Sequence, residues 1–162
     1  MPQQHLDHDE VRLVMDAPPE TVYDLVADVT RMHEFSPEIE KCTWRKGATG
    51  PAVGAKFRAK NKFAKGPPTL NFPVMTVVEP GRKVPWSRSE PFGGVVEWTY
   101  EFLPHGDGTE VVESYHFHKP VSRFGWVIIS TFDPGDRKAK MRAGMEQTLE
   151  RLRDAVEGRS AS

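Results

Sequence analysis

The sequence predicts an α+β domain: a curved antiparallel sheet of about seven strands wrapped around a long C-terminal helix, with two short helices after the first strand. Three observations predict it. Residues 56–63 and 95–103 alternate side by side, with Phe57, Ala59, Asn61 and Phe63, then Val96, Trp98, Tyr100 and Phe102, on one face; period two is the signature of a half-buried strand. Short Gly- and Pro-containing turns separate consecutive strands, which favours an antiparallel meander. Met141, Met145, Leu149, Leu152 and Val156 recur at steps of four, four, three and four, giving one apolar stripe on a helix. A lone sheet must cover its apolar face, and the last helix is the only long amphipathic element available. A sheet curved around one helix cannot touch it everywhere, so a cavity is expected.

The elements follow in order. Residues 1–10 read as a polar tail and 11–15 as a first strand, broken by Asp16, Ala17, Pro18 and Pro19. Proline is tolerated in a first helical turn, and Val22, Leu25, Val26 and Val29 supply the stripe of a first helix. Thr30 opens a second short helical turn, ended by Ser36 and Pro37, because the residue before proline avoids the α region. Residues 39–46 are strand-like, 47–51 a turn, 56–63 a strand and 65–68 a loop. Residues 70–78 form the next strand, Pro80 and Gly81 turn it, and 84–89 continue the sheet, with Pro73 and Pro85 inviting bulges or edge placement. Residues 91–94 are another turn and 105–108 a hairpin loop. Residues 110–118 return with Val111, Glu113, Tyr115 and Phe117 on one face and Val112, Ser114, His116 and His118 on the other. Asp133 is the expected N-cap of the last helix, with Pro134 at its first position. Residues 11–157 form one domain, and 158–162 a tail.

Composition narrows the class. The chain has 162 residues, 38% of them hydrophobic, and a formal net charge of -1. That balance gives no general pull toward nucleic acid or an anionic membrane. The single cysteine, Cys42, excludes an internal disulfide. The N-terminus lacks the basic and apolar regions of a signal peptide, and no apolar run approaches a membrane span, so the cytoplasm is the expected location. Phosphate-loop, dinucleotide and nucleophile-elbow motifs are missing.

Four segments also carry a resemblance. Residues 17–29 begin Ala17-Pro18-Pro19-Glu20-Thr21-Val22-Tyr23, and residues 50–57 begin Gly50-Pro51-Ala52-Val53-Gly54. Residues 98–102 run Trp98-Thr99-Tyr100-Glu101-Phe102, and residues 108–114 run Gly108-Thr109-Glu110-Val111-Val112-Glu113-Ser114. In this order and spacing the chain, from about residue 11 to 157, resembles the SRPBCC or START-like superfamily, in particular its polyketide cyclase/dehydrase branch. The resemblance implies a helix-grip fold with a deep pocket between sheet and last helix, and gate loops at residues 65–68 and 91–94. The superfamily includes carriers, receptors and cyclases, so the resemblance leaves activity open.

Candidate site residues follow from parity. The ligand-binding set is Phe57, Asn61 and Phe63 from one strand, Trp86, Trp98, Tyr100, Phe102 and Tyr115 from others, and Met141 and Met145 from the helix. Such a face is either a pocket wall or ordinary core. Glu113 lies among aromatics, where a carboxylate needs a partner or a raised pKa. Arg88 is its expected partner. Glu113, Arg88 and His33 are the candidate proton-transfer groups, each also readable as structural, and Tyr23 offers a phenol that also suits core packing. His116 and His118 form a His-x-His pair without an obvious third ligand in Cys42, His105 or Asp107, so no metal and no cofactor is expected. Lys56, Arg58, Lys60 and Lys62 form a basic outer row, able to meet phosphates or an acidic partner or merely to protect an exposed strand. Phe124, Trp126, Val127, Ile128, Ile129 and Phe132 read as a loop tucked into the core before the helix, as a lid, or as a patch touching a membrane or protein. The leading functional expectation is a carrier or sensor of a small hydrophobic ligand such as a lipid, polyketide or aromatic metabolite, acting as monomer or homodimer without nucleic acid. The alternative is a cyclase, aromatase or dehydrase using pocket-confined acid/base chemistry.

Overall fold

A computed structural model describes residues 6–89 and 94–158. Its eight strands are β1 (His8–Met15), β2 (Ile39–Arg45), β3 (Lys56–Asn61), β4 (Thr69–Asn71), β5 (Val74–Met75), β6 (Lys83–Ser89), β7 (Val95–His105) and β8 (Gly108–Lys119). All pair antiparallel in the order β1-β8-β7-β6-β5-β3-β2, with β4 also on β3. The helices are α1 (Pro19–Ala27), α2 (Arg123–Phe132) and α3 (Arg137–Val156), and a 3-10 helix spans Val29–Glu34. The helix-grip expectation is met: a long C-terminal helix packs against one face of an open antiparallel sheet.

Burial follows the predicted parity except at Val112, which is buried on the outer face. Val96, Tyr100 and Phe102 of β7 and Val111, Glu113 and Tyr115 of β8 are buried, while His116 and His118 face solvent. α3 buries Met141, Met145, Leu149 and Leu152. It rests mainly on β1 and β8, and α1 sits over β6, β7 and β8. Each fully buried Leu or Met of that stripe contributes about 1.5–3 kcal/mol. The β7–β8 hairpin turns through Gly106 and Asp107, with His105 paired to Gly108. Gly106 takes φ 59°, which suits the first central position of a two-residue hairpin turn. Gly108 lies against the Met15 carbonyl oxygen, with which a Cβ at this position would collide, so no side chain fits there.

Four expectations change. β1 begins at His8 rather than residue 11, because Asp9 is drawn to Arg142 of α3 (2.7 Å) and the strand pairs with β8 over its whole length; Leu6 is buried as well. The strand expected over 70–78 is split into β4 and β5 around Pro73, whose ring cannot donate to the ladder. Residues 124–132 are the helix α2, not a loop. The N-cap of α3 is Asp136, whose side chain accepts from the Ala139 N–H at 3.0 Å. Asp133 instead closes α2 and is buried in an ion cluster. The turn expected at 91–94 lies outside the described residues apart from Gly94. Among the described residues no helix is long and apolar enough to cross a membrane.

The ion cluster locks the α2–α3 junction to the start of β2. The buried Arg137 guanidinium donates to both Glu38 carboxylate oxygens (2.6 and 3.0 Å) and to Asp133 (3.0 Å), and Lys140 Nζ reaches Asp133 at 2.9 Å. Removing one member of a buried, hydrogen-bonded cluster strands the others. Arg137→Met should therefore lower stability by about 3 kcal/mol, read from the urea midpoint at unchanged m-value; a loss under about 1 kcal/mol would mean the cluster behaves as a solvated surface network.

Candidate functional site

The sheet is covered unevenly, and the uncovered part forms two adjoining clefts. The inner cleft is walled by Val29 and Met32 from the 3-10 helix, Cys42 from β2, Phe57, Ala59 and Asn61 from β3, Pro73 between β4 and β5, Trp86 and Arg88 from β6, and Trp98, Tyr100 and Glu113 from β7 and β8. The outer cleft is lined by Phe63, Thr69, Asn71, Phe117, Val121, Gly125, Ile129, Arg137 and Met141, among others. Glu38, Asn61 and Arg88 line both clefts and form a polar waist between them. The cavity volumes are about 60 and 40 Å³. At about 10–15 Å³ for each water, the inner cleft is a slot the size of a few waters.

Its walls are aromatic. Phe57 stands edge-on to Trp86 (centroids 5.8 Å apart), and Trp86 is tilted 32° over Tyr100 at 5.5 Å. At one end the Tyr100 hydroxyl donates to Glu113 Oε1 at 2.7 Å. Glu113 Oε2 is buried without a hydrogen-bonding partner among the described residues. Burial pushes the Glu113 carboxyl up to about 8, against the opposing pull of the Tyr100 hydrogen bond. Tyr100 is held well above its ordinary value by burial first and the neighbouring Glu113 second. Near neutral pH Glu113 is therefore a neutral acid, and Oε2 is its oxygen without a described partner. An apolar site that keeps a carboxylic acid neutral turns it into a hydrogen-bond donor. Burial also lifts the Cys42 thiol to about 12, with Arg88 pulling it back, so the thiol is no nucleophile near neutrality.

The expected residues divide. Phe57, Asn61, Trp86, Arg88, Trp98, Tyr100 and Glu113 meet at the inner cleft, and Phe63 and Met141 at the outer one. Phe102, Tyr115 and Met145 are core residues that line neither cleft: Phe102 packs edge-on to Tyr23, and Tyr115 contacts Trp98 and Phe117. His33 is exposed on the 3-10 helix and also lines neither. Arg88 does not take the place expected for it beside Glu113. It is level with Val96 and Phe117, whereas Glu113 is level with Tyr100 and Val84, a separation of four residues or about 13 Å along the strands. The partner of Glu113 is Tyr100 instead. That pairing was readable: a hairpin centred between Gly106 and Asp107 puts Tyr100 opposite Glu113 by counting back. Glu38 and Arg137 went unsuspected; the only local signal was the Asp133–Arg137 helical spacing. The loop 62–68 docks on α2, with the Lys65 N–H donating to the Phe132 carbonyl at 2.9 Å and Gly66 (φ 85°) against the Phe132 ring. The second gate loop lies outside the described residues. His116 and His118 stack edge-on on the outer face. Among the described residues no group of three or more His, Cys, Asp or Glu side chains is arranged to hold a metal.

The raised Glu113 pKa has a consequence for stability. The unfolded carboxyl titrates near 4.5 and the folded one near 8, so across that window the unfolded state binds fewer protons. Stability is then full below about pH 4.5, falls as pH rises and levels off above about pH 8. Glu113→Gln keeps the shape and the Tyr100 hydrogen bond but cannot ionise. Its melting temperature should vary much less than the wild type's between about pH 5 and 9; equal slopes would show that another group carries the dependence.

No curated protein sequence matches this chain significantly. Solved structures do match in fold. TTHA0849 from Thermus thermophilus superposes with a TM-score of 0.70 at 21% identity, over 95% of this chain and 99% of that one. A START superfamily protein from Mycobacterium smegmatis gives 0.67 at 16% identity, over 96% and 99%. The di-domain ARO/CYC BexL from the BE-7585A biosynthetic pathway gives 0.68 at 17% identity, over 94% of this chain and 50% of BexL. At these identities the likeness is one of fold. Residues 9–157 match the model of the family described as polyketide cyclase / dehydrase and lipid transport, and the chain belongs to that family.

Proposed function

We propose that this protein binds a small hydrophobic molecule, a lipid, polyketide or aromatic metabolite, in the inner cleft between the sheet and the 3-10 helix, which adjoins α3 only through the outer cleft, and acts as its carrier or sensor. Family membership supports a ligand-binding or cyclase role. The observation that carries the finer reading is the inner cleft itself: an aromatic slot ending on one buried carboxyl, with Oε2 left over for a ligand. Apolar burial supplies affinity in such a site, and a few placed polar groups fix orientation. The neutral Glu113 donates to a ligand carbonyl, and the waist of Glu38, Asn61 and Arg88 meets a polar group further along. A slot of about 60 Å³ admits a ring system only when its walls part. The loop 62–68 is suited to move, since its docking on α2 includes one backbone hydrogen bond and the Gly66–Phe132 contact.

A second reading, an enzyme of cyclase, aromatase or dehydrase type, is favoured by the Glu113–Tyr100 pair. A carboxyl poised near pH 8 beside a phenol can give and take a proton at a confined carbonyl or hydroxyl.

Trp86 and Trp98 line the slot, so ligand entry should change their fluorescence. Titration with fused-ring phenols and long-chain fatty acids should quench the emission. Ala59→Phe, which fills the slot without touching a polar group, should weaken binding more than about tenfold, or about 1.4 kcal/mol. If none of these ligands quenches the wild type, or if Ala59→Phe binds as tightly, the binding reading fails. With a ligand in hand, Glu113→Gln separates the two roles: turnover lost with binding kept marks an enzyme, and a ligand recovered unchanged from both proteins marks a carrier.

A further inference from the structure

The outer face of the sheet is charged in two different ways. Over its larger part, cations meet anions: Lys83 with Glu101 (3.6 Å) and Arg12 with Glu110 (2.9 Å) across strands, and Arg12 with Glu10 (3.2 Å) along β1. Over β2 and β3 the pattern reverses. Lys41 stands directly opposite Lys60, and Arg45 opposite Lys56, with Arg58 between them opposite Thr43. Like charges opposed across a ladder are destabilising. Among the described ion pairs, one acid, Glu40, reaches this group, at Lys60 (3.4 Å). Protection of an exposed edge explains cations on β2, the last strand of the sheet. It does not explain three more on β3, which is flanked by β2 on one side and β4 and β5 on the other.

The next strip is apolar and faces the same way. Leu70 is paired with Lys60 and is 47% exposed. Phe72 is 51% exposed, with the Arg45 guanidinium 4.6 Å above its ring. Five cations beside exposed Leu and Phe on one sheet face match a layer of anionic headgroups with acyl chains beneath it. We propose that the outer face of β2, β3 and β4 docks the protein on anionic lipid surfaces, with Leu70 and Phe72 entering the interface. This surface is separate from the clefts and from the exposed Phe124 and Val127 of α2. It does not depend on what the clefts hold. It abuts them, since Thr69 and Asn71 of β4 line the outer cleft on the opposite face from Leu70.

The test is flotation of the full chain with phosphatidylcholine vesicles, with and without about 30% phosphatidylglycerol, in about 0.1 M salt. The protein should float with the anionic vesicles only and be released by added salt. Each cation near such a surface strengthens binding about fivefold, so Arg58→Glu with Lys60→Glu should weaken it more than about twentyfold. Phe72→Ser should weaken it by a smaller factor at every salt concentration. All the altered side chains are exposed, and unchanged melting temperatures will show that the variants fold. The proposal is overturned if the wild type stays at the bottom with anionic vesicles. It is overturned equally if the double reversal floats like the wild type, which would assign binding to another face such as α2. Retention on heparin or an oligonucleotide, without flotation, would also overturn it, by making the patch a soluble-polyanion site.

Discussion

A single helix is too narrow to cover this sheet. α3 has 20 residues, so it is about 30 Å long and about 10 Å across. Strands spaced about 4.8 Å apart make the path of seven strands from β1 to β2 about 29 Å wide, about three times the width of the helix. α3 settles on β1 and β8, and α1 on the middle strands. The inner faces of β2 to β5 then have no long element of their own. The 3-10 helix, α2 and the loop 62–68 close over them, and the clefts are what these smaller pieces leave unfilled. The Arg137 cluster matters for the same reason: it fastens α3 to the start of β2, on the far side of the gap, without filling the gap.

The uncovered region sets the chemistry of Glu113. Glu113 belongs to β8, a strand that α3 and α1 cover, yet its side chain lines the inner cleft. Here it faces a slot, and its described partner is a neutral phenol, so desolvation outweighs hydrogen bonding and the proton stays on. Arg88, the nearest available cation by sequence reasoning, sits about four residues away along the sheet and serves the waist between the clefts instead. The site is therefore segregated: a neutral acid at one end, aromatic walls in the middle, and charge where the slot meets the outer cleft.

Most of the fold was legible because the strands alternate strictly and the last helix carries one stripe. Parity alone placed Phe57, Trp86, Trp98, Tyr100 and Glu113 on the inner face. What parity cannot tell is depth along a strand, which separates Tyr100, at the slot, from Phe102, packed on Tyr23 two residues away. Register was needed, and the Gly106–Asp107 turn contained it. α2 was missed because Phe124, Trp126, Val127, Ile128 and Ile129 are apolar nearly all round, so no polar face marks the period. Asp133 had the residue type and the Pro134 neighbour of an N-cap. It was claimed by Arg137 and Lys140, and the cap passed to Asp136.

Alternation also keeps the two faces of β3 and β4 chemically independent. Ala59 and Asn61 look into the inner cleft, while Lys56, Arg58 and Lys60 look out. Thr69 and Asn71 face the outer cleft, while Leu70 faces away from it. A strand one residue thick thus separates a mostly uncharged interior from a cationic exterior. Changing the outer residues leaves the inner lining untouched, so surface charge and ligand fit can vary separately. Movement is another matter. β4 is only three residues long and ends next to Pro73, so it has few ladder bonds to hold it. A pull on its outer face would be felt directly by Thr69 and Asn71 on the inner one. This short strand is therefore one through which an event at the surface can reach the cleft.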